Sequence, residues 1–288
     1  MLSAELLKKI DSIFIRSRHR VTDVFAGEYE SAFRGRGIEF EEFREYVPGD
    51  DVRQIDWHVT ARMDKPFVKV FREEREQTIF FLVDASKSLL FGKTRNKLEV
   101  ATEIAALLSY AAIKSNDKVG LIIFSDQIEK YIPPKKGRGH VWNIIATLLS
   151  HKPKGTKTDV KAAIQFFLEI AHRRTFCFLI SDFIDVAYHD ALKVAGFKHE
   201  FVVMRILDQL ERKMPRGALM DFEDLESGKT LSTDMSGSQG WFDRAYQEKT
   251  KELTHFLGTH RIDFLDLKVD EDYVEALLRF FMKREKKR

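Results

Sequence analysis

The chain has a single cysteine, Cys177, in 288 residues, so no internal disulfide can form. Cys177 sits in the apolar run FCFLI, the setting of a buried structural thiol rather than a nucleophile. No apolar run approaches the ~18 residues that a membrane-spanning helix needs. The opening MLSAELLKKIDSIF has its lysines after the first leucines and an Asp11 beyond them, unlike a signal peptide. A cytoplasmic protein is expected from these two absences and the lone thiol. Charge of one sign is lacking too: 48 basic against 45 acidic residues leave +3, which gives no ground for a nucleic-acid partner. Repeats and low-complexity tracts are absent, and the nine histidines include no H-x-x-x-H pair. What is abundant is core material. With 44% hydrophobic and 32% charged residues the chain is globular, long enough for one large domain or two modest ones.

From residue 78 onward short apolar runs alternate with helical patterns. The runs are TIFFLV (78–83), VGLIIF (119–124), FCFLIS (176–181), EFVVMRI (200–206) and IDFLDL (262–267). None alternates apolar with polar throughout, as expected of parallel strands covered on both faces. Between the first two, Val100, Ile104, Leu107, Leu108 and Ala111 mark one face of a helix, broken by Asn116 and Asp117. Further helices are expected near 139–150, 159–172, 188–196, 241–258 and 271–285. IEKYI (128–132) follows its predecessor too closely for a parallel crossover and reads as a hairpin-connected antiparallel edge strand. The expected fold is therefore α/β, a doubly wound, mostly parallel sheet with one antiparallel edge. Residues 1–75 read as an N-terminal helix over 4–17, a Gly/Arg loop RGRG (34–37) and a β-rich appendage, with 76–288 as the main domain. The polar stretch 223–239 reads as an insertion.

The chemically informative spot is FFLVDASKS. Asp84, Ser86 and Ser88 fall at alternate positions directly after a strand, where open α/β sheets bind ligands. FCFLISD places Asp182 at another strand end, and GTKTD places Thr156 and Thr158 before a helix. Two carboxylates with hydroxyls make a hard-oxygen site suited to Mg2+ or Mn2+ rather than zinc. The plainer alternative is that these hydroxyls and carboxylates only cap helices, Thr158 that of the 159–172 helix.

Asp84-Ala85-Ser86-Lys87-Ser88, Thr158 and Asp182 together resemble the metal-ion-dependent adhesion site of von Willebrand factor A domains. RGRGIEFEEFREYVPGDDVRQIDWHVTAR (34–62) resembles the signature of a bacterial branch of that family, domain-of-unknown-function family fifty-eight. The resemblance implies that Ser86, Ser88 and Thr158 (Thr156 is the alternative) hold Mg2+, that Asp84 and Asp182 act mostly through bound water, and that a protein client supplies an acidic ligand. It also implies a MoxR-type AAA+ ATPase as partner and a non-catalytic adaptor role in protein maturation. Two departures stand out: Lys87 puts a cation near the proposed metal, and Phe183 follows Asp182 where many relatives have glycine.

Rival chemistries fare worse. Gly92-Lys93-Thr94 lacks the glycine five residues earlier that a phosphate-binding loop needs; Lys87 stands there. A haloacid-dehalogenase-type phosphatase wants an acid at position 86, where serine has no activating base. A metal-dependent hydrolase or nuclease using Asp84 and Asp182 is the runner-up. Arg44, Asp50, Asp51, Arg53 and Asp56 read as an ion-pair network tying the appendage to the main domain, or as a docking surface. Tyr46 and Trp57 read as core anchors or interface hot spots.

Overall fold

A computed structural model describes residues 4–33, 38–63, 65–73, 76–92, 95–184, 187–212, 219–223, 230–234 and 239–287. The RGRG loop, Lys93, Thr94 and much of the 223–239 stretch lie outside the described residues. The chain forms two compact units, Phe33–Gln77 and a larger one of Met1–Ala32 with Thr78–Arg288.

The chain opens with helices α1 (Ala4–Arg20) and α2 (Asp23–Phe33). The smaller unit then contains β1 (Ile38–Glu45), α3 (Trp57–Met63) and β2 (Phe67–Glu73). β1 and β2 pair antiparallel, with a bulge between Phe40 and Glu42. In the turn after β1, Gly49 takes φ +115°, a value open to glycine without strain. Asp50 closes it, accepting from Arg44 Nη2 at 2.9 Å and from the Val47 amide at 2.9 Å. Asp56 accepts from the His58 and Val59 amides at the start of α3 and pairs with Lys69 at 2.8 Å. Arg53 pairs with Asp51 at 3.5 Å. Each of these charges has a partner inside the small unit. Tyr46 is half-buried and Trp57 is 67% exposed, so Trp57 is no core anchor of this unit.

The larger unit continues with β3 (Thr78–Asp84), α4 (Lys97–Lys114), β4 (Lys118–Phe124), β5 (Ile128–Lys135), α5 (Arg138–Ser150), α6 (Val160–Ile170), β6 (Phe176–Ser181), α7 (His189–Lys198) and β7 (Glu200–Leu207). After these come α8 (Gln209–Arg212), β8 (Leu219–Glu223), β9 (Thr230–Asp234), α9 (Gln239–Thr259), β10 (Asp263–Lys268) and α10 (Tyr273–Glu285). Strands β8 and β9 form a separate antiparallel pair; β9 lies within the expected insertion 223–239, whereas β8 precedes it and meets it only at Glu223. The main sheet has six strands in the order β10-β7-β6-β3-β4-β5. All its pairs are parallel except β4 with β5, which are antiparallel. This is the α/β sheet expected from the sequence, edge hairpin included.

Both sheet faces are covered, as the unbroken apolar strands required. On one face Phe80, Leu82, Ile122, Cys177, Leu179 and Val203 pack with residues of α6, α7 and α9. The alternate side chains of the strands, such as Phe81 and Val83, point to the other face, where α4 lies against β3, β4 and β7. Cys177 is fully buried, and burial pushes its thiol well above the ordinary value. The Asn96 side chain caps α4 by accepting from the Glu99 amide at 2.8 Å, and Asn116 ends the helix turn at φ +64°. No helix among the described residues is long and apolar enough to cross a membrane.

The first helices belong to this unit, which corrects the expected grouping of residues 1–75. α1 packs on α4 and α5, through Phe14 edge-on to Tyr110 at 5.3 Å and Trp142 Nε1 donating to Asp11 at 3.2 Å. The helix α2 was not expected at all. Its Phe25 and Tyr29 rings meet Phe281 of α10 at 5.5 and 5.9 Å. Arg284 of α10 donates to the Ala32 carbonyl at 3.0 Å and pairs with Glu200 and Asp263.

Candidate metal centre

The chain leaves β3 to add β4 on one side, then returns to add β6 on the other. The carboxyl end of β3 is therefore the switch point of the sheet, and Asp84 is its last residue. Three of the five predicted residues meet here through hydrogen bonds. Asp84 Oδ1 accepts from the Ser86 amide at 2.9 Å, and the Ser86 and Ser88 hydroxyl oxygens are 3.0 Å apart. Asp84 and Ser86 are fully buried and Ser88 is 6% exposed. Ser86 begins a short 3-10 turn, Lys87–Leu90, yet its hydroxyl makes no capping bond to it. The helix-cap alternative therefore fails for Ser86.

Asp182 directly follows β6, the strand next to β3, and is buried. Its Oδ2 accepts from Lys97 Nζ at 2.7 Å, while its Oδ1 is buried with no hydrogen-bond partner. Burial, with the neighbouring charge of Asp182 adding to it, pushes the Asp84 carboxyl up to about 7. Ser181, on the neighbouring strand β6, supports Asp84 by donating from its hydroxyl to Oδ2 at 2.7 Å.

Thr156 and Thr158 lie on the loop 151–159, both half-buried. The loop is held at the carboxyl end of β4, beside the end of β3. Glu129 accepts from the Lys154 and Gly155 amides at 2.9 and 2.8 Å and from the Ser125 hydroxyl at 2.7 Å, and the Asp159 amide donates to the Ser125 carbonyl at 2.9 Å. Burial works against the charge of Glu129, but these donors outweigh it and hold the carboxyl below its usual value. Gly155 is required by closeness: a Cβ there would sit 1.8 Å from Asp126 Oδ1 and 2.2 Å from Ser125 Oγ. Asp159, not Thr158, caps α6, accepting from the Ala162 amide at 2.8 Å. The expected threonine-initiated helix therefore begins at Val160.

The donor set is hard oxygen throughout: two carboxylates, the paired hydroxyls and a loop with two threonines. Among the described residues no group of three or more His, Cys, Asp or Glu side chains could hold a metal ion, so a thiolate- or imidazole-based centre has no candidate there. The hydroxyl-rich set fits Mg2+ or Mn2+, and the unpartnered Asp182 oxygen is the kind of buried polar atom that calls for a ligand.

A family model described as "Protein of unknown function DUF58" matches residues 42–254. The chain belongs to the DUF58 family. Uncharacterised proteins of Mycobacterium bovis and Mycobacterium tuberculosis are 27% identical to this DUF58 chain over 286 residues, 97% of it and 90% of theirs. Among solved structures it is similar to BatB from Bacteroides thetaiotaomicron, at TM-score 0.48 and 15% identity over 73% of this chain and 99% of that one. The SpRpn10 VWA domain is also similar, at TM-score 0.40 and 12% identity over 70% and 93%.

Three features of this DUF58 site, the last of them the backbone conformation of a residue already noted, were not read from the sequence. Lys97 and Glu211 form, with Asp182, a buried ion-pair triad: Lys97 Nζ lies 2.5 Å from Glu211 Oε1. Burial disfavours the Lys97 charge, but the carboxylates of Asp182 and Glu211 outweigh it and hold the ammonium above the usual lysine value. Ser181, already described, is the second. The third is Phe183, which takes φ +56°, a left-handed conformation that is uncommon for a bulky residue. Its amide donates to Ser181 Oγ at 3.1 Å, and its ring packs edge-on against Tyr188 at 5.3 Å. The departure from glycine at this position is thus met by packing.

Proposed function

We propose that this chain is a non-catalytic, divalent-cation-dependent protein-binding module, a von Willebrand factor A-like adaptor working with a MoxR-type AAA+ ATPase in protein maturation or complex assembly. Ser86, Ser88 and Thr158 are the residues that would hold Mg2+ or Mn2+, with Asp84 and Asp182 beside them. A bound divalent cation supplies a Lewis-acidic point of attachment for an acidic side chain of a protein client. Asp84 orients the Ser86 turn through its amide, and Ser181 fixes Asp84 in turn.

The observation that carries this reading is the buried, unpartnered Asp182 Oδ1 beside a second buried carboxylate and two adjoining hydroxyls at the switch point. A buried polar atom left without a partner is costly, and a cation would both supply one to Asp182 Oδ1 and offset the burial of Asp84. The cytoplasm is the proposed setting.

The test is binding of the purified MoxR-type ATPase of the same organism, by calorimetry, with Mg2+ and then with chelator. Wild type should bind only with Mg2+, and Asp84→Ala should not bind. Binding that is indifferent to both chelator and Asp84→Ala contradicts the proposal.

A further inference from the structure

Lys97 is the first residue of α4, and its side chain is 0% exposed. Lysine is seldom fully buried unless paired. Here the pairing is double. Nζ lies 2.7 Å from Asp182 Oδ2 and 2.5 Å from Glu211 Oε1, and 6.0 Å from the centre of the Phe91 ring. Glu211 is itself fixed at the turn after β7, where its Oε2 accepts from the Asp208 amide at 3.0 Å. One carboxylate of the candidate centre, Asp182, therefore already carries a tethered cation on one oxygen, while the other oxygen has no partner.

We infer that Lys97 sets the affinity of this site for divalent cations: its ammonium is a resident counter-ion that a divalent cation must share Asp182 with, and Glu211 determines how much of that ammonium falls on Asp182. The inference rests on the cation-binding reading of the site and adds the residue that tunes it. A tethered positive charge beside the site repels a divalent ion, most strongly where water is scarce. It also keeps Asp182 from standing uncompensated when no cation is bound. The free module is thereby a weak cation binder by construction. A partner carboxylate that adds negative charge offsets the ammonium, so cation and acidic partner bind together more readily than either does alone.

The test is Mn2+ titration of the purified full chain, with free Mn2+ counted by electron paramagnetic resonance, for wild type, Lys97→Met, Lys97→Gln and Glu211→Gln. Circular dichroism melts establish that each variant is folded. The Lys97 variants should bind Mn2+ about tenfold tighter or more. Glu211→Gln should bind it more weakly, because the whole ammonium then bears on Asp182. Wild type binding Mn2+ with the Lys97 variants no tighter overturns the inference and leaves the proposed function standing. Binding by the Lys97 variants but not by wild type supports the inference, and the Mg2+ dependence of ATPase binding then decides the proposed function separately. No binding by any folded variant overturns both. If neither Lys97 variant folds, Glu211→Gln decides, and an affinity equal to or above that of wild type overturns the inference.

Discussion

Replacing Lys97 by methionine keeps most of the volume of the side chain and removes the charge together with the Nζ donors to Asp182 and Glu211. In the absence of divalent cations this leaves Asp182, whose side chain is 1% exposed, facing Glu211 with no counter-ion. Breaking a buried pair by deleting one partner costs about 3–5 kcal/mol. For a unit of this size that is a fall in Tm of roughly 6–20 °C. The two carboxylates should not share the loss equally. The Asp182 side chain is almost fully buried, whereas the Glu211 side chain is 26% exposed and can be partly solvated. Adding Asp182→Asn to Lys97→Met should therefore recover more than half of the lost stability, and adding Glu211→Gln should recover less. Urea unfolding of the single and double variants in chelator gives the coupling energies directly. A loss below about 1 kcal/mol in Lys97→Met, the level of a solvated surface pair, would refute the claim that the triad is buried and charged. So would a failure of Asp182→Asn to rescue.

Other regions yield further tests. Gly155→Ala forces a Cβ into Asp126 and Ser125, so it should cost about 1–3 kcal/mol as an overpacked contact and weaken Mn2+ binding by displacing the threonine loop; an unchanged melt with unchanged binding refutes that loop placement. Arg284→Met removes the donor to Ala32, Glu200 and Asp263 and should cost about 3 kcal/mol, with faster protease cleavage in α1 and α2. Burial holds His199 below the usual histidine value, with nearby Lys198 adding to the effect. The unfolded chain therefore takes up a proton at His199 that the fold refuses, so the His199 contribution should fall as pH drops through 6.5, while the raised Asp84 carboxyl, which gains its proton on folding, acts in the opposite sense; the difference between wild type and His199→Gln in urea unfolding should shrink from pH 7.5 to 5.5.

The sheet was legible because its four central strands are largely apolar runs, and the position of Asp84 followed from where such a run stops. The helix α2 was missed because Gly27 and Val24 weaken its 11 residues as a helix; the spacing of Phe25, Tyr29 and Phe33 by four was the signal available. Lys97 was missed for a different reason. Lysine reads as solvated, and its partners lie 85 and 114 residues away in the chain. Its place on the same stripe as Val100, Ala101 and Ile104 was the available hint. Ser181 looked like one more residue of a buried strand, and only the neighbouring β3 shows that its hydroxyl faces Asp84. Phe183 at φ +56° depends on how the chain leaves β6, which apolar patterning does not encode. The local ion pairs of the small unit were legible as pairs but not as to which partners they choose, since Asp50 and Asp56 are fixed by turn and helix amides at short range.

The most direct test of the central claim is thermal unfolding of wild type and Asp84→Ala, stripped with chelator and then titrated with Mg2+. A cation bound only by the folded state at a hundred times its dissociation constant adds about 2.7 kcal/mol of stability. The account predicts a rise in Tm for wild type that saturates with Mg2+ and is absent in Asp84→Ala. A folded wild type whose Tm ignores Mg2+, or an equal rise in both proteins, contradicts it.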